Sequence, residues 1–242
     1  MVEQDEAPAA WQNSHSGPTT EVPYVHALAL GLDPAWRRLP EAERREDART
    51  FVQAVEGAAS VVTHSYSMVG LQPGVDLLVW RVAASLEGLE EAAAAALRTG
   101  LGRWLRVTES LLGVVQPSHY VKRHDPRKRS LLSGARARYL VVYPFTKSVD
   151  WYLQSAESRQ LVMNEHMRVG HQYPGVRQLL ANSFGIDDQD FMVAYDTDDL
   201  LAFSELVRAL RATESRRATV RDTPILAGIA RPLCEITQLL GG

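Results

Sequence analysis

Apolar and polar positions along the chain alternate with two periods, one suited to strands and one to helices. Tyr24 to Leu30 is a short, mostly apolar run closed by Gly31, which predicts a strand. Pro40-Glu41-Ala42-Glu43 then opens a helix, because proline suits an early helical position and acids favour the positive end of the helix dipole. Val61 to Met68 and Val75 to Arg81 are β-rich runs separated by Gly70-Leu71-Gln72-Pro73-Gly74, a turn composition that predicts a hairpin. A second helix, rich in Ala, Leu and Glu, follows from about Ser85 to Arg98.

The second half repeats this order. Tyr139 to Tyr143 reads as a strand and Ser155 to Gly170 as a helix. Val176 to Phe184 and Phe191 to Tyr195 read as strands around the turn Gly185-Ile186-Asp187-Asp188, Leu200 to Arg211 as a helix, and Ile225 to Ile229 as a closing strand. Two β-α-β-β-α units predict an α+β fold of two ferredoxin-like halves whose antiparallel sheets join into a dimeric-α/β-barrel-type whole. The expected divisions are a tail over 1–22, a first domain over 23–119, a basic connector over 120–138 and a second domain over 139–242. The tail is assigned from its Ala, Ser, Thr, Pro and acid content without periodicity.

Composition narrows the function classes. A hydrophobic content of 45% over 242 residues supports a sizeable core, and a net charge of -3 gives no global basic footprint for nucleic acid. A lone cysteine, Cys234, excludes an intrachain disulfide and multi-cysteine metal sites. No apolar stretch approaches the roughly 18 residues that span a bilayer. The early acids Glu3, Asp5 and Glu6 do not read as a secretory signal, which makes the cytoplasm the expected location.

On residue chemistry alone, His166 is an ordinary half-buried histidine on an amphipathic helix. His171 does not make it half of a zinc pair, because five helical residues turn about 140° around the axis. Other segments change that reading: Asn164-Glu165-His166-Met167-Arg168-Val169-Gly170-His171-Gln172-Tyr173, Tyr143-Pro144-Phe145-Thr146-Lys147, Ser183-Phe184-Gly185-Ile186-Asp187-Asp188, Leu32-Asp33-Pro34-Ala35-Trp36-Arg37-Arg38-Leu39-Pro40 and Trp151-Tyr152. In this order and spread, from about Tyr24 to Leu240, they resemble the chlorite dismutase family, which includes the coprohaem decarboxylases.

The resemblance implies a non-covalent haem b or Fe-coproporphyrin III with His166 as iron ligand and Trp151 among the cofactor-binding positions. It makes Glu214, on the last helix of the family pattern, the acceptor for the second ring nitrogen; spacing alone would pair Glu214 with Arg217 or Arg211. Tyr143 would become the radical that oxidises a propionate, and Lys147 would bind that propionate. The distal position is left open. An ungapped alignment from His166 places Leu179 there, a shift of one residue places Gln178, and neighbouring strand residues cannot both face one pocket. With leucine in place the distal role passes to the connector, where His124 is preferred over Gln178 and His119 comes second.

The connector is basic, with Lys122, Arg123, Arg127, Lys128, Arg129, Arg136 and Arg138 against Asp125, and Arg129 is its expected propionate contact. Arg216 stands where some decarboxylases carry a propionate-binding serine. The partners implied are a porphyrin and hydrogen peroxide, with assembly as a homo-oligomer, a pentamer in the relatives, and no nucleic acid or membrane insertion. Three functions follow: a peroxide-dependent coprohaem decarboxylase making haem b; a haem-binding relative without that activity, serving sensing, transfer or as a scaffold; and a true chlorite dismutase, disfavoured because no arginine falls at the aligned distal position.

Overall fold

A computed structural model describes residues 23–116, 131–132 and 135–242. The expected tail over 1–22 and the connector residues His119, Lys122, Arg123, His124, Asp125, Arg127, Lys128 and Arg129 lie outside them.

The first half runs β1 (Tyr24–Leu32), α1 (Glu41–Glu56), β2 (Val61–Gln72), β3 (Val75–Ala83), α2 (Leu86–Leu97) and β4 (Leu105–Val114). The second runs β5 (Tyr139–Lys147), α3 (Val149–Leu153), α4 (Ala156–Gly170), β6 (Arg177–Asn182), β7 (Phe191–Thr197), α5 (Leu200–Arg211), β8 (Thr219–Arg221), β9 (Leu226–Ala230) and α6 (Leu233–Leu240). Helix starts follow from side-chain caps. Ser85 Oγ accepts from Gly88 N, Ser155 Oγ from Ser158 N, and Asp199 from Leu201 N and Ala202 N, each satisfying amides that have no partner within the helix.

Both halves arrange their strands alike, β4-β1-β3-β2 and β6-β7-β5-β9, in antiparallel register. The α+β expectation holds, and each unit carries a fourth strand. In the first half that strand is β4, which the sequence pattern misses because Arg106, Thr108, Glu109 and Ser110 interrupt its alternation, although it pairs with β1 from end to end. Helix α6 and the short α3 were also not foreseen.

The halves meet at two seams. β2 pairs with β9 at Tyr66↔Ala230 and Ser67↔Ile229, and β4 pairs with β6 at Val114↔Asn182. Because β5 also pairs with β7, every strand but β8 belongs to a closed ring, and β8 hangs from the end of β5. Each seam contains a glycine at a close backbone approach. A β-carbon on Gly113 would sit 2.8 Å from Ala181 Cβ across one seam, and one on Gly228 would sit 2.7 Å from Tyr66 Cβ across the other.

Strand alternation then divides the side chains. Val25, Ala27, Tyr66, Met68, Trp80, Leu140, Val142, Leu179 and Ala194 point into the barrel and form its core. Outside the first half, α1 and α6 pack Phe51, Leu233 and Ile236 against Leu28, Leu77 and Val79. Outside the second half, Val141, Val193 and Tyr195 meet Leu206 of α5.

The seam glycines give the first prediction. Gly228→Val drives two branched carbons into Tyr66, so urea denaturation should show a loss of about 1–3 kcal/mol, as for other overpacked cores.

Candidate functional site

On β5 the outward positions are Tyr143 and Phe145, two residues apart on one face; past a register shift after Thr146, Lys147 brings its Nζ to 5.2 Å from the Phe145 ring centre. Tyr143 stacks on Tyr195 of β7, with ring centroids 6.1 Å apart and planes at 27°. Helix α4 covers this side but contains no fully buried residue, and Leu153 and Leu161 beside and on it are exposed. It is tied at one point to the turn after α5, where Glu165 Oε2 accepts from the Glu214 amide at 3.1 Å.

His166 lies on α4. Its Nδ1 is buried and has no hydrogen-bond partner among the described residues. Burial, followed by the positive charge of Lys147, pushes the ring down to about 4, so the imidazole is neutral at pH 7. A neutral ring with an unpaired buried nitrogen has the form a metal ligand requires. Among the described residues no group of three or more His, Cys, Asp or Glu could hold an ion. The uncharged, unpaired ring nitrogen of His166 is of the chemical kind that a single protein donor to an iron with its own macrocyclic ligands would need.

Lys147 is buried among side chains that fix it. Its Nζ donates to Ser215 O at 2.8 Å and Ser215 Oγ at 3.0 Å, and stands 4.6 Å from the Trp151 ring centre and 5.2 Å from that of Phe145. Burial, with Arg216 nearby, lowers it to about 8. Burial pushes the Tyr143 phenol up to about 12; Tyr195 opposes that shift and Asp222 adds to it. Beyond Tyr143, Asp222 is shared by Arg216 at 2.6 Å and Arg211 at 3.7 Å, which leaves one positive charge in excess.

The sequence-predicted residues divide into three sets. His166, Tyr143, Lys147 and the buried Trp151 come together on this face. Gln178 and Leu179 point to opposite sides of β6. Leu179 is in the barrel core, while Gln178 is exposed and registers with Tyr195 on the outer face. The alignment that puts Leu179 in the pocket is therefore corrected, since strand parity sends that side chain inward.

Glu214 is not on the last helix. It opens the 3-10 turn Glu214–Ala218, and its carboxylate pairs with Arg217 at 3.2 Å. His124, His119 and Arg129 lie outside the described residues. Of the connector's described cations, Arg138 sits against the Tyr139 ring, and Arg136 lies over the inward-facing rings of Tyr66 and Trp80. Sequence reasoning missed Ser215 and Tyr195, which fix Lys147 and Tyr143. Ser215 adjoins Glu214 in sequence, but nothing local marks Tyr195 as a partner of Tyr143.

An antiparallel barrel with Tyr143 on the outer face of one strand, Lys147 at that strand's end and a neutral His166 on the helix over it makes an α+β protein whose candidate site lies outside the barrel core. The chain belongs to the chlorite dismutase family, whose model, described as "Chlorite dismutase", matches residues 34–231. It is 31% identical over 185 residues to the coproheme decarboxylase of Mycolicibacterium smegmatis, covering 76% of this chain and 79% of that one. Its fold is similar to that of a point mutant of chlorite dismutase from Candidatus Nitrospira defluvii, with 30% identity, a TM-score of 0.83 and coverage of 91% and 96% of the two chains. The same enzyme in complex with imidazole gives 29% identity and a TM-score of 0.81, covering 91% and 95%. Among the described residues no helix is long and apolar enough to cross a membrane.

Strand parity generates the second prediction. Leu179→Gln puts an unpaired amide into the barrel core and should cost about 2–5 kcal/mol in urea unfolding. Gln178→Leu should stay within about 0.5 kcal/mol of the parent, as exposed substitutions do.

Proposed function

We propose that this chain is a hydrogen peroxide-dependent coprohaem decarboxylase that converts Fe-coproporphyrin III to haem b. The observation that carries the reading is the shared face of Tyr143, Lys147 and His166, bordered by the Arg211, Arg216 and Asp222 cluster. A porphyrin bearing four propionates requires cations at its edge, and this edge has them.

When bound, the iron porphyrin supplies the peroxide-driven oxidation. Each propionate loses carbon dioxide, one proton and two electrons to leave a vinyl group, while one peroxide takes up two electrons and two protons to become water. About two peroxides are therefore consumed per haem.

The protein residues bind and orient. His166 offers an uncharged ring nitrogen to the iron. Lys147, held by Ser215 and the Trp151 ring, directs an ammonium at a carboxylate. Tyr143 keeps its proton throughout the neutral range, so it can be oxidised only together with transfer of that proton to a neighbouring base such as the carboxylate. Gln178, exposed on the outer face of β6, would hydrogen-bond peroxide in this reading, or else His124 of the connector would. Arg129 is a further propionate contact in this reading, and Glu214 would reach His166 only by leaving Arg217. The same reading takes the protein as a cytoplasmic homopentamer.

Chlorite chemistry is disfavoured for a geometric reason. The arginine on β6, Arg177, shares the inward parity of Leu179 and holds the buried Asp196 at 2.5 Å, so it does not present its charge to the outer face.

The test is anaerobic loading with ferric coprohaem, titration with peroxide and mass analysis of the porphyrin. Stepwise loss of two carboxyl groups is expected, and Tyr143→Phe should abolish it while still binding coprohaem. His166→Ala should weaken coprohaem binding at least about tenfold. Bleaching without any loss of carboxyl groups would leave a haem-binding relative without decarboxylase activity.

A further inference from the structure

Strand register makes Tyr143 and Tyr195 diagonal neighbours. β5 and β7 pair with Val141 opposite Tyr195 and Tyr143 opposite Val193, so the two tyrosines share the outer face, offset by two residues. Aromatic side chains on such a diagonal reach each other, and here the rings stack with centroids 6.1 Å apart and planes at 27°.

The two are not equivalent. Tyr195 is 3% exposed, whereas Tyr143 is only partly buried. On its other side Tyr195 meets Phe203 of α5, with ring centroids 5.1 Å apart, so its ring is held between strand and helix. A tyrosine buried to this depth needs a partner for its hydroxyl. Among the described residues, Tyr143 is the one hydroxyl or charge that acts on it.

The hydroxyls are unequal as well. Burial raises both phenols; beyond that, Tyr195 pulls Tyr143 down and Tyr143 pushes Tyr195 up. Those are the signs of a contact in which Tyr195 donates and Tyr143 accepts, because giving a hydrogen bond makes a phenol harder to ionise and receiving one makes it easier. The charges that act on Tyr143 are Asp222, Arg211 and Arg216, and both arginines are held by Asp222.

We propose that Tyr195 is a positioning residue for Tyr143: its hydroxyl donates to the Tyr143 oxygen, turns the Tyr143 proton away from the sheet and stays bonded when that proton leaves. A phenol oxygen carries one proton and accepts others. With Tyr195 donating from the buried side, the Tyr143 proton is left to face the ligand. The consequence for catalysis rests on the decarboxylase reading, in which Tyr143 passes that proton to a porphyrin carboxylate; the hydrogen bond itself does not.

A fluorinated tyrosine in place of Tyr143, in the full-length ligand-free protein, tests the bond. Fluorine NMR reports ionisation of that one phenol, and ring fluorination brings the ionisation into a pH range where the fold survives. In Tyr195→Phe the phenol should ionise about one pH unit higher, the effect of losing a hydrogen bond to a charged oxygen. Phe keeps the ring, the stack and the contact with Phe203, so a role in packing alone would leave the titration unmoved. If Tyr195→Phe does not fold, the reciprocal pair decides: a fluorinated tyrosine in place of Tyr195 should ionise at lower pH in Tyr143→Phe than beside Tyr143. In the coprohaem-loaded protein, Tyr195→Phe should lose carboxyl groups at least about tenfold more slowly under peroxide, with coprohaem affinity kept within about twofold.

The proposal is overturned if the phenol at Tyr143 ionises at the same or lower pH in folded Tyr195→Phe, if the reciprocal pair shows no downward shift, or if the parent decarboxylates and Tyr195→Phe does so at the parental rate. A parent that loses no carboxyl group overturns the decarboxylase reading instead, and the titration then decides the role of Tyr195 by itself.

Discussion

Closure of the sheet assigns two faces to every strand, and the position of each functional group follows from it. Strand β5 is paired on both edges, with β7 from Tyr139 to Phe145 and with β9 from Tyr139 to Val142, so it cannot twist to exchange one face for the other. Its inward residues Leu140 and Val142 are fixed by the barrel core, and Tyr143 is thereby fixed outward, while Lys147, beyond the register shift after Thr146, is held by Ser215. The constraint depends on the seams, where Gly113 and Gly228 allow two similar half-sheets to approach closely enough for backbone pairing.

The outer faces of the two halves are used differently. On the first half, α1 and α6 bury large side chains against the sheet. On the second, α5 packs through Leu206, but α4 buries no residue completely. A helix bound so lightly keeps little packing energy of its own, since most helical stability in proteins comes from an apolar face against a core. On this lightly packed helix His166 keeps a buried ring nitrogen without a partner among the described residues. Lys147 shows the complementary case of a charge held in place: two hydrogen bonds to Ser215 and a ring on either side fix an ammonium that burial disfavours.

Much of the fold was legible because its elements carry strong local signals, such as the capped α2 and α4 and the glycine turn between β2 and β3. β4 was not legible, because its stability comes from pairing with β1 rather than from its own alternation. The residues of the site were legible by type and order, but not all by face. Gln178 and Leu179 differ by one position, and only the register of β6 against β7 shows which is outward. Glu214 was read as a helix residue beside His166; the chain instead leaves α5 through a tight turn that directs its carboxylate to Arg217. Tyr195 and Ser215 act through contacts distant in sequence, which no local pattern encodes.

The same parity argument separates the two chemistries that this fold family's names describe. An arginine offered to a bound anion must have its charge free of a nearer partner. Arg177 is one residue from Gln178, so a single step of register would turn it outward. That step is resisted by the inward packing of Leu179 and Ala181 and by the buried Asp196, whose carboxylate would lose its ion pair with Arg177. Removing one partner of a buried pair costs about 3–5 kcal/mol, more than an exposed strand position could recover. By holding Arg177 inside, Asp196 leaves the outer face of β6 to a neutral glutamine, which is the arrangement the proposed peroxide chemistry calls for.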